Sequence, residues 1–132
     1  LRERTANALG RIGRADYKLV APYFKELFTL AGDTSSNVRL SFIWASENIA
    51  TNTPEAYKNH ISVFEKLLDD ENVRVRMEAP EMFRVLGKRK PEYVSHCLDK
   101  LKTLSKNDVD RVVRIHAKGA IKVISTYSSI LV

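Results

Sequence analysis

The chain has 132 residues, enough for one domain, and at 44% hydrophobic it can bury a core, which excludes a disordered tail. Its 22 Lys+Arg against 16 Asp+Glu give +6, basic enough to keep a polyanion among candidate partners but too mild to require one. One cysteine, Cys97, excludes an internal disulfide framework; with no apolar run of membrane length and no leader pattern, a cytoplasmic protein is expected.

Four segments of similar pattern follow one another. Their anchors are Leu1, Val38, Val75 and Val113, spaced 37, 37 and 38 residues apart. Residues 4, 7, 8 and 11 places beyond each anchor are mostly apolar, as in Phe42, Ala45 and Ile49 or Ala79, Met82, Phe83 and Leu86. Those offsets share one helical face. The spacing predicts A helices near 1–13, 37–51, 73–88 and 109–125. Gly13 and Gly87, just past the last apolar residue of their helices, are expected to end them in a left-handed turn. Pro80 predicts a kink in the third.

Between these lie three B patterns, near 17–31, 54–69 and 91–105, with shared columns such as Phe24/Ile61/Leu98 and Leu27/Phe64/Leu101. Tyr17, Pro54 and Pro91 open them, and proline suits a first helical position because its missing N–H is no loss there. No segment alternates as a half-buried strand does. The units run about 1–36, 37–73, 74–111 and an incomplete 112–132, all in a single domain 1–132. A two-helix unit cannot bury its apolar face alone, so stacking is expected. The fourth unit stops near where its B helix would begin, at Val132, and Leu1 is not Met. A piece of a longer array, or an end covered by a partner or by a second copy, is expected there.

The Val-Arg openings (Val38-Arg39, Val75-Arg76, Val113-Arg114), the small Ala8, Ala45 and Ala120, and Asp33, Asp70 and Asp108, six residues before Arg39, Arg76 and Arg114, make the chain resemble the HEAT-repeat family. The resemblance implies an all-α, right-handed solenoid of antiparallel helix pairs, about three and a half repeats long. It also implies an Asp–Arg ladder through Asp33, Arg39, Asp70, Arg76, Asp108 and Arg114, each acid bonding arginines of its own and adjoining units. Arg2 has no aspartate upstream and is left outside that ladder.

No nucleophile elbow, phosphate loop or zinc-protease motif is present, and no pair of carboxylates stands out from the solvated face. A non-enzymatic chain without cofactor is expected. The Tyr23/His60/Cys97 column makes a poor metal site, since zinc wants three or four ligands and tyrosine is not a usual one. His96 is read as pointing to another face, and His116 as exposed. Trp44, in a solvent-facing column, could serve an interface.

The function expected is a protein-binding scaffold or adaptor using the concave B surface: Lys25, Glu26, Asn59, Ser62, Lys66, His96, Asp99 and Lys100, polar positions of mixed sign that suit a protein partner of unknown identity. The alternative is nucleic acid along a basic edge of Arg11, Arg14, Arg84, Lys88, Arg89, Lys90 and Lys122. Some HEAT-like proteins are DNA glycosylases, but no concave basic cluster with aromatics is evident here.

Overall fold

A computed structural model describes residues 1–130. Among them every regular element is helical. The α-helices are α1 (Arg2–Ala15), α2 (Tyr17–Val20), α3 (Phe24–Thr29), α4 (Ser36–Asn52), α5 (Ile61–Leu67), α6 (Val73–Arg89), α7 (Leu98–Asn107) and α8 (Arg111–Ile130). The expected fourth B helix near Val132 lies outside the described residues. No described helix is long and apolar enough to cross a membrane.

The long helices α1, α4, α6 and α8 match the expected A helices and pack on one another in succession, α1 on α4, α4 on α6 and α6 on α8. The last begins two residues later than expected and runs five residues further, through Thr126-Tyr127-Ser128-Ser129 to Ile130. Val113, Ala117, Ala120 and Ile124 of α8 are completely buried. Packing of that stripe secures the helix against its weak helix formers. α6 continues through Pro80, itself buried.

The B segments differ from expectation, being composite rather than continuous helices. Pro22, Pro54 and Pro91 each fall at the start of a 3-10 turn (Ala21–Tyr23, Pro54–Tyr57, Pro91–Tyr93), and α-helix resumes only at α3, α5 and α7. Proline's fixed φ and absent N–H suit the first positions of a 3-10 turn, and each segment is interrupted after its turn by a residue off helical geometry, Tyr23, His60 and Val94.

The glycines also act differently from the expectation. None has positive φ, and Gly13 and Gly87 lie inside their helices rather than ending them. They allow close approach. A Cβ on Gly10 would stand 2.6 Å from Ala45 Cα, and one on Gly87 would stand 2.5 Å from Ile124 Cγ1.

α1 buries Ala6, Gly10 and Gly13 towards α4, while Thr5 and Ile12, expected inside, are exposed. Among the described residues α1 packs on a single long helix, whereas α4 lies between two and buries both sides. The core runs from Ala6 to Ile124 and is rich in aromatics: Phe42 stacks on Phe64 at 5.4 Å, and both are essentially inaccessible. Ser46, a polar side chain in an apolar column, is fully buried beside the equally buried Tyr57 hydroxyl.

Candidate functional site

The arginines and aspartates at the unit junctions are joined by a repeated hydrogen-bond pattern. Arg39 Nε and Nη2 donate to the two carboxylate oxygens of Asp70 at 2.8 and 2.9 Å, and Arg39 Nη1 donates to Asp33 O at 2.8 Å. Arg76 repeats this one unit on, Nε to Asp108 Oδ2 at 2.9 Å and Nη1 to Asp70 O at 2.9 Å. Each carboxylate thus serves the arginine of the unit before it, and each aspartate's main-chain carbonyl serves the arginine six residues later. Arg2, set outside the ladder on sequence, is part of it: its Nε donates to Asp33 Oδ1 at 2.9 Å. Arg114 makes the carbonyl bond, Nη1 to Asp108 O at 2.7 Å, and no carboxylate partner for it is found among the described residues. The carboxylates also accept the N–H two residues on, as Asp33 does from Ser35 and Asp70 from Asn72. The Ser35 N–H, followed by Arg2, holds the Asp33 carboxyl below its usual range.

Next to this ladder lies a groove of about 1040 Å³. Tyr17, Phe24 and Phe28 form one side, from the first B segment; His60, Val63 and Leu67 form the other, from the second. Phe28 meets the His60 ring at 4.4 Å and the Phe24 ring at 4.9 Å, so the aromatic rings of the two sides touch. Lys25 and Lys66, both exposed, stand on the rims, and Asp33, Arg39, Asp69 and Asp70 close one end. A much smaller depression of about 220 Å³ occupies the corresponding place between the second and third B segments, beside Lys100 and Asp108.

Of the expected concave residues, only Lys25 and Lys66 line the groove. Glu26, Asn59, Ser62, His96 and Asp99 are exposed elsewhere on the B segments, and Lys100 pairs with Asp69. The groove's aromatic wall was missed. Its signal was present in the columns: Phe28 stands where later units carry Glu65 and Lys102, and Tyr17 where they carry prolines. Phe28, an aromatic in an otherwise charged column, is half-buried in the groove.

The proposed basic edge is less free than its composition suggested. Arg89 is structural: its Nε donates to Thr51 O at 2.7 Å and its Nη1 to Val85 O at 3.0 Å, tying α6 to the end of α4. Lys90 faces Glu55, Arg84 faces Glu81, each at 3.9 Å, and Arg14 donates to Asn48. Arg11, Lys88 and Lys122 are exposed. Trp44 is 40% exposed.

Two further polar clusters were not legible. Glu47 of α4 lies against Glu78 and Glu81 of α6, across a helix interface, which is why no pair of carboxylates stood out along the sequence. His116, expected to be exposed, is half-buried with Nδ1 3.4 Å from Glu81 Oε2. Burial, with the Glu78 and Glu81 charges behind it, pushes the Glu47 carboxyl from 4.5 up to about 10. The folded chain therefore keeps a proton that the unfolded chain has lost over that interval, so stability falls as pH rises through it. The melting temperature should be higher at about pH 5.5 than at about pH 8.5, and Glu47→Gln should flatten the difference by stabilising the alkaline side. Melting curves of the two proteins that stay parallel across this range would refute it. In the second cluster, Glu65 of α5 meets His96 and Cys97, two residues that the sequence set on different faces. Burial first, then Glu65, pushes the Cys97 thiol up to about 12.

No family model matches the chain, and no curated protein does either.

Proposed function

We propose that the chain is a non-catalytic protein-binding scaffold. In this reading it is a right-handed α-solenoid of HEAT-like antiparallel helix pairs, and a partner segment docks in the groove between α3 and α5. The observation that carries the reading is the aromatic floor of Tyr17, Phe24, Phe28 and His60, open to solvent and flanked by Lys25 and Lys66. Half-buried aromatic rings in a groove of about 1040 Å³ gain most from large apolar side chains that displace water. Two lysines at the rim favour acidic residues beside those anchors. An amphipathic helix or extended segment with aromatic or leucine anchors and flanking Asp or Glu meets both demands. Nucleic acid along the basic edge is the weaker reading, since Arg89, Lys90 and Arg84 already have partners.

The test is selection from a random peptide library displayed on phage. Enriched sequences should combine an apolar anchor with acidic flanks. The double variant Lys25→Glu, Lys66→Glu should weaken the selected peptides about tenfold, because each rim charge contributes up to about 1 kcal/mol and its reversal adds repulsion. Absence of enrichment, or peptides indifferent to the double variant, would defeat the proposal. Duplex DNA binding with a steep salt slope, reduced by Lys88→Glu and unaffected by the groove variant, would move the function to the basic edge.

A further inference from the structure

A carboxylate oxygen of Glu65, an imidazole nitrogen of His96 and the sulfur of Cys97 all lie within 4.8 Å of one another. Glu65 belongs to α5, and His96 and Cys97 to the 3-10 turn Ser95–Cys97 that leads into α7, so three kinds of metal-binding atom converge from two consecutive B segments. We propose that Glu65, His96 and Cys97 form a binding site for a divalent transition-metal cation of the zinc class, which clips the second B segment to the third.

The donor set selects the cation. One sulfur, one nitrogen and one oxygen suit zinc or cobalt(II), whereas calcium and magnesium require oxygen ligands. Zinc bonds of about 2.0–2.3 Å imply ligand atoms somewhat under 4 Å apart in a tetrahedral site. Glu65 Oε1 and His96 Nε2 already stand 3.9 Å apart. The remaining closure is small and falls on movable groups. The His96 side chain is 61% exposed and that of Glu65 31%, so both can rotate, while Cys97, 1% exposed, is a fixed anchor. The exposed side at His96 leaves room for a water as fourth ligand. On binding, the thiol proton passes to solvent and the sulfur takes the cation in its place. The nearby ammonium of Lys100 is paired with Asp69, which reduces its opposition to a second cation. The sequence missed this site because Tyr23, His60 and Cys97 share a column there, whereas Glu65 belongs to the column of Phe28 and Lys102.

Untagged protein titrated with zinc chloride in a calorimeter, and with cobalt(II) chloride in an absorption cell, tests this. Saturation at one metal per chain, a thiolate-to-cobalt charge-transfer band in the near ultraviolet and a rise in melting temperature are expected. His96→Ala and Glu65→Gln, both at accessible side chains, should each weaken binding about tenfold or more while circular dichroism stays unchanged. Cys97→Ser should remove the charge-transfer band, and His116→Ala should leave the metal stoichiometry and affinity unchanged. Failure of both metals to saturate below millimolar concentration would overturn the site. So would binding that survives both His96→Ala and Glu65→Gln, or a cobalt complex lacking the thiolate band.

Discussion

Arg39→Ala should lower the unfolding free energy by about 3–4 kcal/mol, the largest loss among the junction arginines. The reason is burial on both sides of the pair. The side chains of Arg39 and Asp70 are each 9% exposed, and the guanidinium meets the carboxylate through two hydrogen bonds while its third donor serves Asp33 O. Truncation leaves the Asp70 carboxylate with the Asn72 N–H but without its counter-charge, in a place that water reaches poorly. An exposed ion pair, by contrast, contributes little because solvent screens it and side-chain entropy opposes it. The molecule contains its own control. Arg114 occupies the same position two units further along the pattern, yet among the described residues it makes only the bond to Asp108 O. Arg114→Ala should therefore cost about 1 kcal/mol, the worth of one ordinary hydrogen bond. Arg76→Ala should fall between them, since Arg76 reaches Asp108 through Nε and its side chain is 17% exposed. Arg39→Lys should recover only part of the loss, because an ammonium cannot reproduce the two-pronged contact. Urea unfolding of the four variants gives the order directly. Equal losses at Arg39 and Arg114 would mean that the carboxylate fork contributes nothing.

Gly10→Ala should destabilise the protein by about 2 kcal/mol, although alanine is favoured over glycine in a helix by about 1 kcal/mol. The added Cβ would meet the Cα of Ala45 at 2.6 Å and its Cβ at 3.0 Å. The first of these is backbone, which cannot rotate away, so α1 and α4 must separate and loosen the packing around Ala6 and Gly13. Gly87→Ala should cost less: its nearest obstacle is Ile124 Cγ1 at 2.5 Å, a side-chain atom, with the Ile124 backbone further off at 3.3 Å. Gly32→Ala is the counter-example. Nothing lies within 4 Å of a Cβ there and φ is not positive, so alanine should be neutral or stabilise by about 0.4–1 kcal/mol through the unfolded chain. Thermal unfolding of the three variants separates these cases. A stabilised Gly10→Ala protein would show that α1 and α4 do not need their close approach.

Periodicity located the four long helices to within a few residues, except at the end of α8, because the spacing of Val38, Phe42, Ala45 and Ile49 is a local property that a helix must bury on one side. The positions of Asp33, Asp70 and Asp108 before their arginines were equally plain, since they lie at a fixed distance along the chain. Other features depend on which side chains meet across units, and no periodicity reports that. The groove depends on Phe28 facing His60, residues 32 positions apart in sequence and 4.4 Å apart between rings. The Glu47–Glu78 contact, the convergence of Glu65 with His96 and Cys97, and the role of Gly10 against Ala45 are of the same kind. Residue types and their spacing determined the long helices and, in α4, α6 and α8, the stripe they bury, because those follow from three or four neighbours along the backbone. Packing of helix on helix determined the groove, the clusters and the work of the glycines, because contacts between distant residues depend on the crossing and approach of whole elements, to which the entire core contributes.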